Sequence, residues 1–473
     1  MEKTYSQRLS RFLADISYDS IPKEAIDQAK RLTLHVLGAS IGARPIEQTG
    51  KTIAMTLRKG GAVEATVWGS GGGKVPAREA AFANGTIADI MDWEDCAWTG
   101  HPSAGAVPAA MAMGEKLHLS GRGYLTSLVT AFEGYHRIAM AVQPSREYIL
   151  TGQGWGLVSW QVFAAAIAAA KARGMDADQM EQVFGAAFYN AIVSCNKHSE
   201  GSAKSDIYHY AHGWCARNGV ISADVTELGF SNCYGAFDGA NGFWHKVSDR
   251  CDWDWFVKDY GTKWYICETY LKHWPANMWV QTPLEALDRL MKARPFTTGE
   301  VEKIHVTPLV PFICGDYAKT TRSTLDAQFS IPYCLSAYIM DPHMGAQWFS
   351  EERRHDPELI AFAERFTYSG GPRTPNDNFD EFKTGSFPEI SVTVTLKDGT
   401  VLTETMRYPK GHPRNNFTME EEYDHFRLCC GPYMPAGQIE QIIALVADLE
   451  ELDDIGRLAE LSVLDPPPSE KGV

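Results

Sequence analysis

Apolar positions in the first 270 residues recur mostly every three or four residues, which is the spacing of amphipathic α-helices. Near the start, Leu9, Phe12, Leu13 and Ile16 fall on one helical face. Later segments are rich in small apolar residues, and we expect them to form closely packed helices. The pattern predicts helices over 5–42, 46–59, 76–91, 104–117, 121–142, 158–173, 177–195, 209–229 and 238–246, with Ser120 and Asp176 as caps.

The pattern changes after about residue 268. One more helix, over 278–293, is followed by a candidate strand at 301–308. The alternation of apolar and polar residues over 390–397 then has the period of a half-buried strand. Asp398-Gly399 predicts a two-residue hairpin turn before a second strand. From Met419 onwards the spacing is helical again.

Together these patterns predict a mostly α protein with an α+β insertion. We expect a large helical domain built from both chain ends, residues 1–268 and 414–464, and a smaller α+β lid domain at 269–413. The tail, 465–473, is rich in proline and charge and is expected to be disordered. A cleft between two domains is a usual place for a ligand.

Composition narrows the class of partner. The 473 residues carry a formal net charge of −15, which disfavours nucleic acid and anionic membranes as partners. There is no run of eighteen apolar residues and no apolar segment typical of a signal peptide. The ten cysteines include no CxxC pair and are expected to be reduced. A cytoplasmic protein without a membrane span is the resulting expectation.

One short segment concentrates acids and a histidine between two small-residue helices. It contains Asp92, Glu94, Asp95 and His101. Burying a carboxylate without a compensating charge costs folding free energy, so the acids of this segment are expected to have a role that offsets the cost. General acid/base catalysis is one reason, and capping of the following helix is the other. The spacing lacks HExxH or a cysteine triad, so no metal is expected.

Two further groups carry positive charge. The segment 195–219 contains Lys204 and His209 and has a composition that suits an anionic ligand, although a solvated loop has the same composition. Lys272 lies at the expected domain junction between tryptophans, which could exclude water and strengthen its charge interactions. A lysine at a junction is otherwise a surface charge.

Five segments in order along the chain resemble the MmgE/PrpD family. They are WGSGGGKVPAREAAFANGTIADIMDWED, HPSAGAVPAA, KHWPANMWVQTPLEAL, AQFSIPYCLSAYIMD and ISVTVTLKDGT. The resemblance implies a helical domain from both chain ends, an α+β lid and a homodimer. It also implies chemistry beside a carboxylate of a small di- or tricarboxylic acid, without a metal or an organic cofactor. Known members are 2-methylcitrate dehydratase, cis-aconitate decarboxylase and iminodisuccinate epimerase.

By position, the resemblance makes Asp92, His101 and Lys272 the catalytic residues. It suggests substrate contacts by Lys204, His209, Ser103, Cys96 and Asn277. Decarboxylase-type members carry histidines where this chain has Trp155 and Asn277, and threonine is common in place of Cys96.

These differences favour a hydro-lyase resembling 2-methylcitrate dehydratase. An iminodisuccinate-type epimerase and a cis-aconitate-type decarboxylase are the alternative enzymes. A non-catalytic homodimeric binding protein of the same fold is the alternative class.

Overall fold

The computed structural model describes residues 3–97, 100–145, 147–148, 156, 158–193, 206–231, 233–308, 323–370, 387 and 389–464. Helices dominate these residues, and the small sheets are confined to short segments, which confirms the predicted fold class. No helix among the described residues is long and apolar enough to cross a membrane. The expected disorder of 465–473 concerns residues outside the described ranges.

The first part of the chain forms a succession of helices with two short ribbons. The helices are α1 (Tyr5–Asp15), α2 (Lys23–Gly42), α3 (Glu47–Leu57), α4 (Ala77–Asp89), α5 (Pro102–Leu117), α6 (Gly121–Ala141), α7 (Gln161–Ala172), α8 (Ala177–Asn190), α9 (Ile207–Glu227) and α10 (Trp244–Val247). Strands β1 (Ala65–Thr66) and β2 (Lys74–Val75) form one ribbon, and β3 (Asp95–Cys96) pairs with β4 (Tyr270–Leu271) in the other.

The later part of the chain mixes helices with a four-stranded sheet. Its helices are α11 (Met278–Ala293), α12 (Thr324–Gln328), α13 (Ile331–Met340), α14 (Glu351–Arg354), α15 (Pro357–Ala363), α16 (Met419–Cys430), α17 (Ala436–Ala447) and α18 (Gly456–Glu460). Its strands are β5 (Val301–Thr307), β6 (Phe366–Tyr368), β7 (Ile390–Leu396) and β8 (Val401–Met406). Single 3-10 turns lie at Tyr18–Ser20, Trp253–Phe256, Tyr265–Glu268, Ala346–Phe349, Pro413–Asn415 and Leu449–Glu451.

The predicted helix caps are present. The Ser120 hydroxyl accepts a hydrogen bond from the Gly123 amide at 3.2 Å, and the Asp176 carboxylate accepts one from the Gln179 amide at 2.9 Å. Each cap satisfies a backbone donor that has no partner within the helix. These local signals therefore set the starts of α6 and α8.

Two predicted helices are shorter than expected. The helix predicted over 238–246 is reduced to α10, because Gly239 takes a positive φ angle of 67°, which a right-handed helix does not contain. Helix α8 ends at Asn190, five residues before the predicted end. The Asn218 side chain donates to the Asn190 carbonyl at 3.2 Å, which satisfies an acceptor at the helix end.

The sheet has the strand order β6-β5-β7-β8. Strand β7 is antiparallel to β5, with Ile304 opposite Val394, and antiparallel to β8. Every second residue of β7 is buried, as the alternation predicts. The predicted two-residue turn is wrong: β7 ends at Leu396 and β8 begins at Val401. Of the two expected turn residues only Gly399 has a positive φ, whereas the tight hairpin turn of this sequence type requires it at both.

Small residues let α4 approach α5 and α9 closely. A Cβ atom at Gly85 would lie 2.8 Å from the Ala104 carbonyl oxygen and 3.0 Å from the Ala216 Cβ. A Cβ atom at Gly213 would collide with the Phe82 carbonyl oxygen. The end of α4 and the first turns of α9 are thereby held against each other.

The last helices return to the first part of the chain. Helix α16 packs on α2, where the His35 imidazole lies 3.0 Å from the Glu422 carboxylate and both side chains are fully buried. Phe426 of α16 packs on Gly38, whose hypothetical Cβ would lie 3.1 Å away. The division into 1–268 with 414–464 and 269–413 stays a prediction.

Candidate active site

The β3–β4 ribbon brings two distant segments together. Asp95 pairs with Leu271 and Cys96 with Tyr270, and the Lys272 amide donates to the Glu94 carbonyl at 3.0 Å. This pairing places the side chain of Lys272 beside the acidic segment that follows α4. The predicted junction lysine is therefore not a surface charge: its exposed fraction is 0%.

The acidic segment makes a sharp turn before it enters β3. Asp92 has a φ of 47°, and its amide donates to the Asp89 carbonyl at 2.8 Å. A left-handed conformation is uncommon outside glycine, although aspartate tolerates it better than most residues. Such backbone conformations concentrate at functional sites because the surrounding structure must hold them in place.

Lys272 lies at the centre of a buried ionic cluster. Its Nζ contacts the Asp92 carboxylate and lies 3.2 Å from Glu94 Oε1 and 3.3 Å from His101 Nδ1. Glu94 also contacts His101 Nδ1. The predicted catalytic residues Asp92, His101 and Lys272 thus meet in one place. Glu94, which the family resemblance did not single out, belongs to the same cluster.

A third carboxylate, Asp89, adjoins the cluster. Its Oδ2 lies 2.6 Å from His209 Nδ1, and its Oδ1 lies 3.4 Å from His212 Nε2 and 3.7 Å from His101 Nδ1. The His101 and His212 rings meet edge to face with centroids 5.2 Å apart. Gln161 contacts both residues. Its amide nitrogen donates to the backbone carbonyl of His101 at 2.6 Å, and its amide oxygen lies 2.6 Å from His212 Nδ1.

The two carboxylates that share Lys272 differ in basicity. Burial acts to raise the pKa of Glu94, but Lys272 and His101 outweigh burial and hold that pKa below its usual range. Burial raises the pKa of Asp92 above its usual value despite Lys272. Burial acts to lower the pKa of Lys272, but Asp92 and Glu94 raise it overall. One ammonium between two acids therefore leaves Asp92 as the more basic carboxylate.

Burial dominates the electrostatics of the outer groups. It raises the pKa of Asp89 well above the usual value and raises that of Asp95 to about 7. It lowers the pKa of His209 to about 4 and that of His212 well below the usual value. Burial disfavours the charged form of each group, so it favours neutral imidazoles and a protonated carboxyl group.

Five buried polar atoms of this region have no hydrogen-bond partner among the described residues. They are Asp89 Oδ1, Asp92 Oδ2, Glu94 Oε2, His209 Nε2 and His212 Nε2. Each such atom costs about 1–3 kcal/mol of folding free energy. Most buried polar groups in proteins are satisfied, so a concentration of unsatisfied ones is typical of a functional site.

The remaining predicted site residues have local partners. The Asp95 carboxylate accepts bonds from the Ser103 hydroxyl, at 2.6 Å, and from the Ser103 amide, so this acid serves the start of α5. The Cys96 thiol lies 3.1 Å from the Ala97 carbonyl oxygen. Asn277 caps α11 by accepting from the Trp279 amide at 3.0 Å. Lys204 lies outside the described residues, as does Trp155, so their expected positions stay predictions.

The sequence did not single out Asp89 or Gln161, and it offered His212 only as one member of the positively charged segment 195–219. Asp89 lies three residues before Asp92, and His209 and His212 have the same three-residue spacing, which puts the two imidazoles on one side of α9. This spacing was the available signal. Gln161 lies in an alanine-rich helix and carries no such signal.

A metal could also be held by this donor set. Ligand atoms of Asp89, Asp92, Glu94 and His101 lie within 4.8 Å of one another. However, the Lys272 ammonium already contacts Asp92 and Glu94 and supplies a positive charge there. The absence of a metal and of a cofactor stays a prediction.

Comparison with known proteins agrees with this picture. Residues 7–255 match the MmgE/PrpD N-terminal domain, and residues 274–451 match the MmgE/PrpD C-terminal domain. The chain is 24% identical to a cis-aconitate decarboxylase of Aspergillus terreus, over 96% of this chain and 95% of the relative. It is 22% identical to the human cis-aconitate decarboxylase, over 99% and 96%.

A 2-methylcitrate dehydratase of Cupriavidus necator is 24% identical over 79% of each chain. The relatives are named for lyase reactions, and the expectation of an enzyme of the lyase type is thereby confirmed. The two domain matches cover most of the chain in the order expected from the sequence motifs. The chain belongs to the MmgE/PrpD family.

Proposed function

We propose that this chain is a lyase of a small di- or tricarboxylic acid that works without a cofactor, resembling 2-methylcitrate dehydratase in its reaction. The observation that supports this most is the buried contact of Lys272 with Asp92, Glu94 and His101. It combines a cation for an anionic substrate with two groups that can exchange protons. Such a combination suits elimination at a carbon next to a carboxylate.

Lys272 is the proposed partner of a substrate carboxylate. A substrate carboxylate that binds its ammonium competes with Asp92 and Glu94 for the same charge. Asp92, whose pKa burial already raises, then loses part of its compensation and becomes more basic. Substrate binding would thereby prepare Asp92 to remove a proton.

The proposed reaction uses two proton transfers. Asp92 takes the proton from the carbon beside the carboxylate, and Lys272 stabilises the negative charge that develops on that carboxylate. The electron pair of the broken C–H bond forms the new double bond as the C–O bond breaks. His101 acts in this step as the imidazolium: Glu94 accepts from its Nδ1, and its Nε2 gives a proton to the departing hydroxyl group, which leaves as water.

The other predicted contacts belong to the same proposal. Lys204, His209, Ser103, Cys96 and Asn277 would surround the substrate. The Ser103, Cys96 and Asn277 contacts with the protein must then be shared with or exchanged for substrate. Assembly as a homodimer stays a prediction, which light scattering of the purified protein tests.

Decarboxylation is the second candidate. The observation in its favour is that the relatives matched over nearly the whole chain are named cis-aconitate decarboxylase. Against it, Asn277 stands where decarboxylase-type members resembling this chain carry a histidine, and its side chain caps α11. In that reaction the C–C bond to a carboxylate breaks and carbon dioxide leaves. His101, the acid of the proposed elimination, then gives a proton to the carbon that keeps the electron pair.

A panel of citrate-like, malate-like and aspartate-like acids separates these reactions. Proton NMR in D₂O would report elimination as a new vinyl or methylene signal and epimerisation as exchange of the proton beside the carboxylate. A separate measurement of evolved carbon dioxide would report decarboxylation. We expect elimination with at least one hydroxy acid of the panel. No turnover and no exchange with any acid would contradict the proposal and favour the binding protein.

Asp92→Asn is the matching variant. It removes the base while the side chain keeps its size, so we expect turnover to fall by about 100-fold or more. Glu133→Gln is the control, because Glu133 is an equally buried carboxylate that pairs with Arg137 away from the site. We expect the control to lose stability but to keep its turnover per folded molecule.

A further inference from the structure

Asp89 has no part in the proposed reaction, yet it occupies the junction of three imidazoles. Its side chain is fully buried at the end of α4. Asp95, six residues further on, is an acid with a structural partner: Ser103 donates to its carboxylate through both its hydroxyl and its amide. Asp89 Oδ1 has no such donor among the described residues.

The hydrogen atoms around His212 follow from Gln161. The Gln161 amide nitrogen donates to the His101 carbonyl, so its amide oxygen is the atom that faces His212 Nδ1 and must accept from it. His212 Nδ1 therefore carries a hydrogen. In a neutral ring the other nitrogen, Nε2, then has a lone pair. The distance from Nε2 to Asp89 Oδ1 is 3.4 Å.

A lone pair facing an ionised carboxylate would be repulsive and would leave both atoms unsatisfied. One proton between them removes the conflict, with Asp89 as the donor and His212 Nε2 as the acceptor. The other oxygen of Asp89 still accepts from His209 Nδ1 at 2.6 Å. Burial agrees with this state, since it raises the pKa of Asp89 and lowers that of His212.

We propose that Asp89 and His212 hold one proton between them, and that this proton keeps Asp89 uncharged beside Glu94 and His101 so that the site accepts an anionic substrate. Asp89 is thus a positioning residue that acts through the charge of the site. This inference rests on the proposed carboxylate substrate. The shared proton itself does not depend on the substrate, because it is inferred from the contacts of Gln161, His212 and Asp89.

Several charged and titratable groups decide when this proton leaves. They are Asp92 and Glu94 in the turn after α4, His101 before α5, His209 and His212 on α9 and Lys272 after β4. Loss of the proton adds a third negative charge beside Asp92 and Glu94, which already share the Lys272 ammonium. As the pH rises through this ionisation, we therefore expect the KM for an anionic substrate to rise while kcat changes less.

Asp89→Asn tests this directly, because an asparagine amide offers the same donor to His212 and the same acceptor to His209 as a protonated aspartate. We expect kcat/KM at neutral pH to stay within about threefold of the unmodified enzyme. We also expect the alkaline fall of kcat/KM to disappear, since an amide cannot ionise. His136→Gln, which alters another buried histidine away from the cluster, is the control that should keep the alkaline fall.

A loss of turnover of about 100-fold at every pH would overturn the proposal, since general acid/base groups contribute on that scale and Asp89 would then work as a carboxylate. An unchanged alkaline limb in the variant would also overturn it. Both outcomes require that the unmodified enzyme turns over a carboxylic acid, so they are distinct from failure of the proposed function.

Infrared spectroscopy provides a measurement without turnover. A protonated carboxylic acid has a C=O stretching band that a carboxylate lacks. At about pH 8, where Asp95 and Glu133 with pKa values of about 7 are mostly ionised, we expect Asp89→Asn to remove such a band. Asp398→Asn, at an exposed hairpin, should leave it unchanged. Absence of the band from the unmodified protein would overturn the shared proton even in an active enzyme.

Discussion

At the scale of single residues, identical side chains a few positions apart have different tasks. Asp95 accepts two hydrogen bonds from Ser103 and begins a helix, whereas Asp92 faces a buried ammonium and keeps one oxygen without a partner. What differs is the element that lies opposite each carboxylate. Asp92 lies opposite Lys272, which follows strand β4 far along the chain.

Lys272→Met should therefore affect both folding and activity. The change leaves two carboxylates buried without their cation, so we expect a loss of about 3–5 kcal/mol in the free energy of unfolding. Turnover should disappear with the ammonium. The loss of stability should shrink at low pH, because Asp92 and Glu94 can then take up protons. Denaturant unfolding at two pH values measures this.

Lys171→Met is the control for that change. Lys171 is partly buried, and its Nζ donates to the carbonyl oxygens of Leu13 and Ala14 and forms no ion pair with a described residue. We expect a smaller destabilisation and unchanged turnover. Equal losses in both variants would mean that Lys272 contributes no more than an ordinary buried amine.

At the scale of elements, the contact between α4 and α9 positions half of the site. It places His209 and His212 around Asp89, and it exists because the residues where the helices meet are small. Glycine weakens a helix, by about 0.5–1 kcal/mol relative to alanine, so its presence in α9 has a packing reason. That reason lies at Gly213, next to His212.

Gly213→Ala should separate the two helices. The added methyl group would collide with the Phe82 carbonyl oxygen and the Thr86 hydroxyl, so we expect a loss of about 1–3 kcal/mol in stability. Turnover should fall more than the folded fraction does, because the imidazoles of α9 move away from Asp89. Thermal unfolding and activity of the same sample measure both effects.

Gly437→Ala is the matched control in α17. No atom lies within 4 Å of the position that its Cβ would take. We therefore expect a gain of up to about 1 kcal/mol from helix propensity alone, with unchanged activity. Equal behaviour of the two glycine variants would contradict the packing argument for Gly213.

At the scale of the whole molecule, distant parts of the chain complete each other. The β3–β4 ribbon joins the acidic segment to Lys272, and α16 covers α2 through Phe426 and the buried contact of His35 with Glu422. Neither α2 nor the cluster around Asp92 is complete without residues beyond 268. Folding of the first part is thus expected to depend on the rest.

Residues 1–268 expressed alone should not fold as an independent unit. This fragment exposes the face of α2 that α16 buries and leaves Asp92 and Glu94 without Lys272, which gives uncovered apolar surface and uncompensated buried charge. Thermal scans and size-exclusion chromatography, beside the full chain, measure this. A monomeric fragment that unfolds cooperatively near the temperature of the full chain would contradict the expectation.

The sequence by itself determined most of the local structure. Period, caps and composition predicted most helices outside residues 294–418 and the β7–β8 hairpin, because these signals act within a few residues. They did not predict the helices α12 to α15. They failed where the backbone conformation of single residues decided the outcome: Gly239 has a positive φ in a predicted helix, and Asp398 lacks the positive φ of the predicted turn. Position within a family motif singled out Asp92, His101 and Lys272, whose side chains meet in the structure, and their catalytic roles stay predictions.

Only the tertiary structure decided which groups meet. The contact of Lys272 with both Asp92 and Glu94, and the placement of Asp89 among three imidazoles, depend on elements separated by more than a hundred residues. The protonation states depend in turn on these contacts and on burial, since desolvation and the nearest charge set each pKa. Local sequence carries neither, and so the acidic segment could equally have been a set of helix caps until Lys272 was seen opposite it.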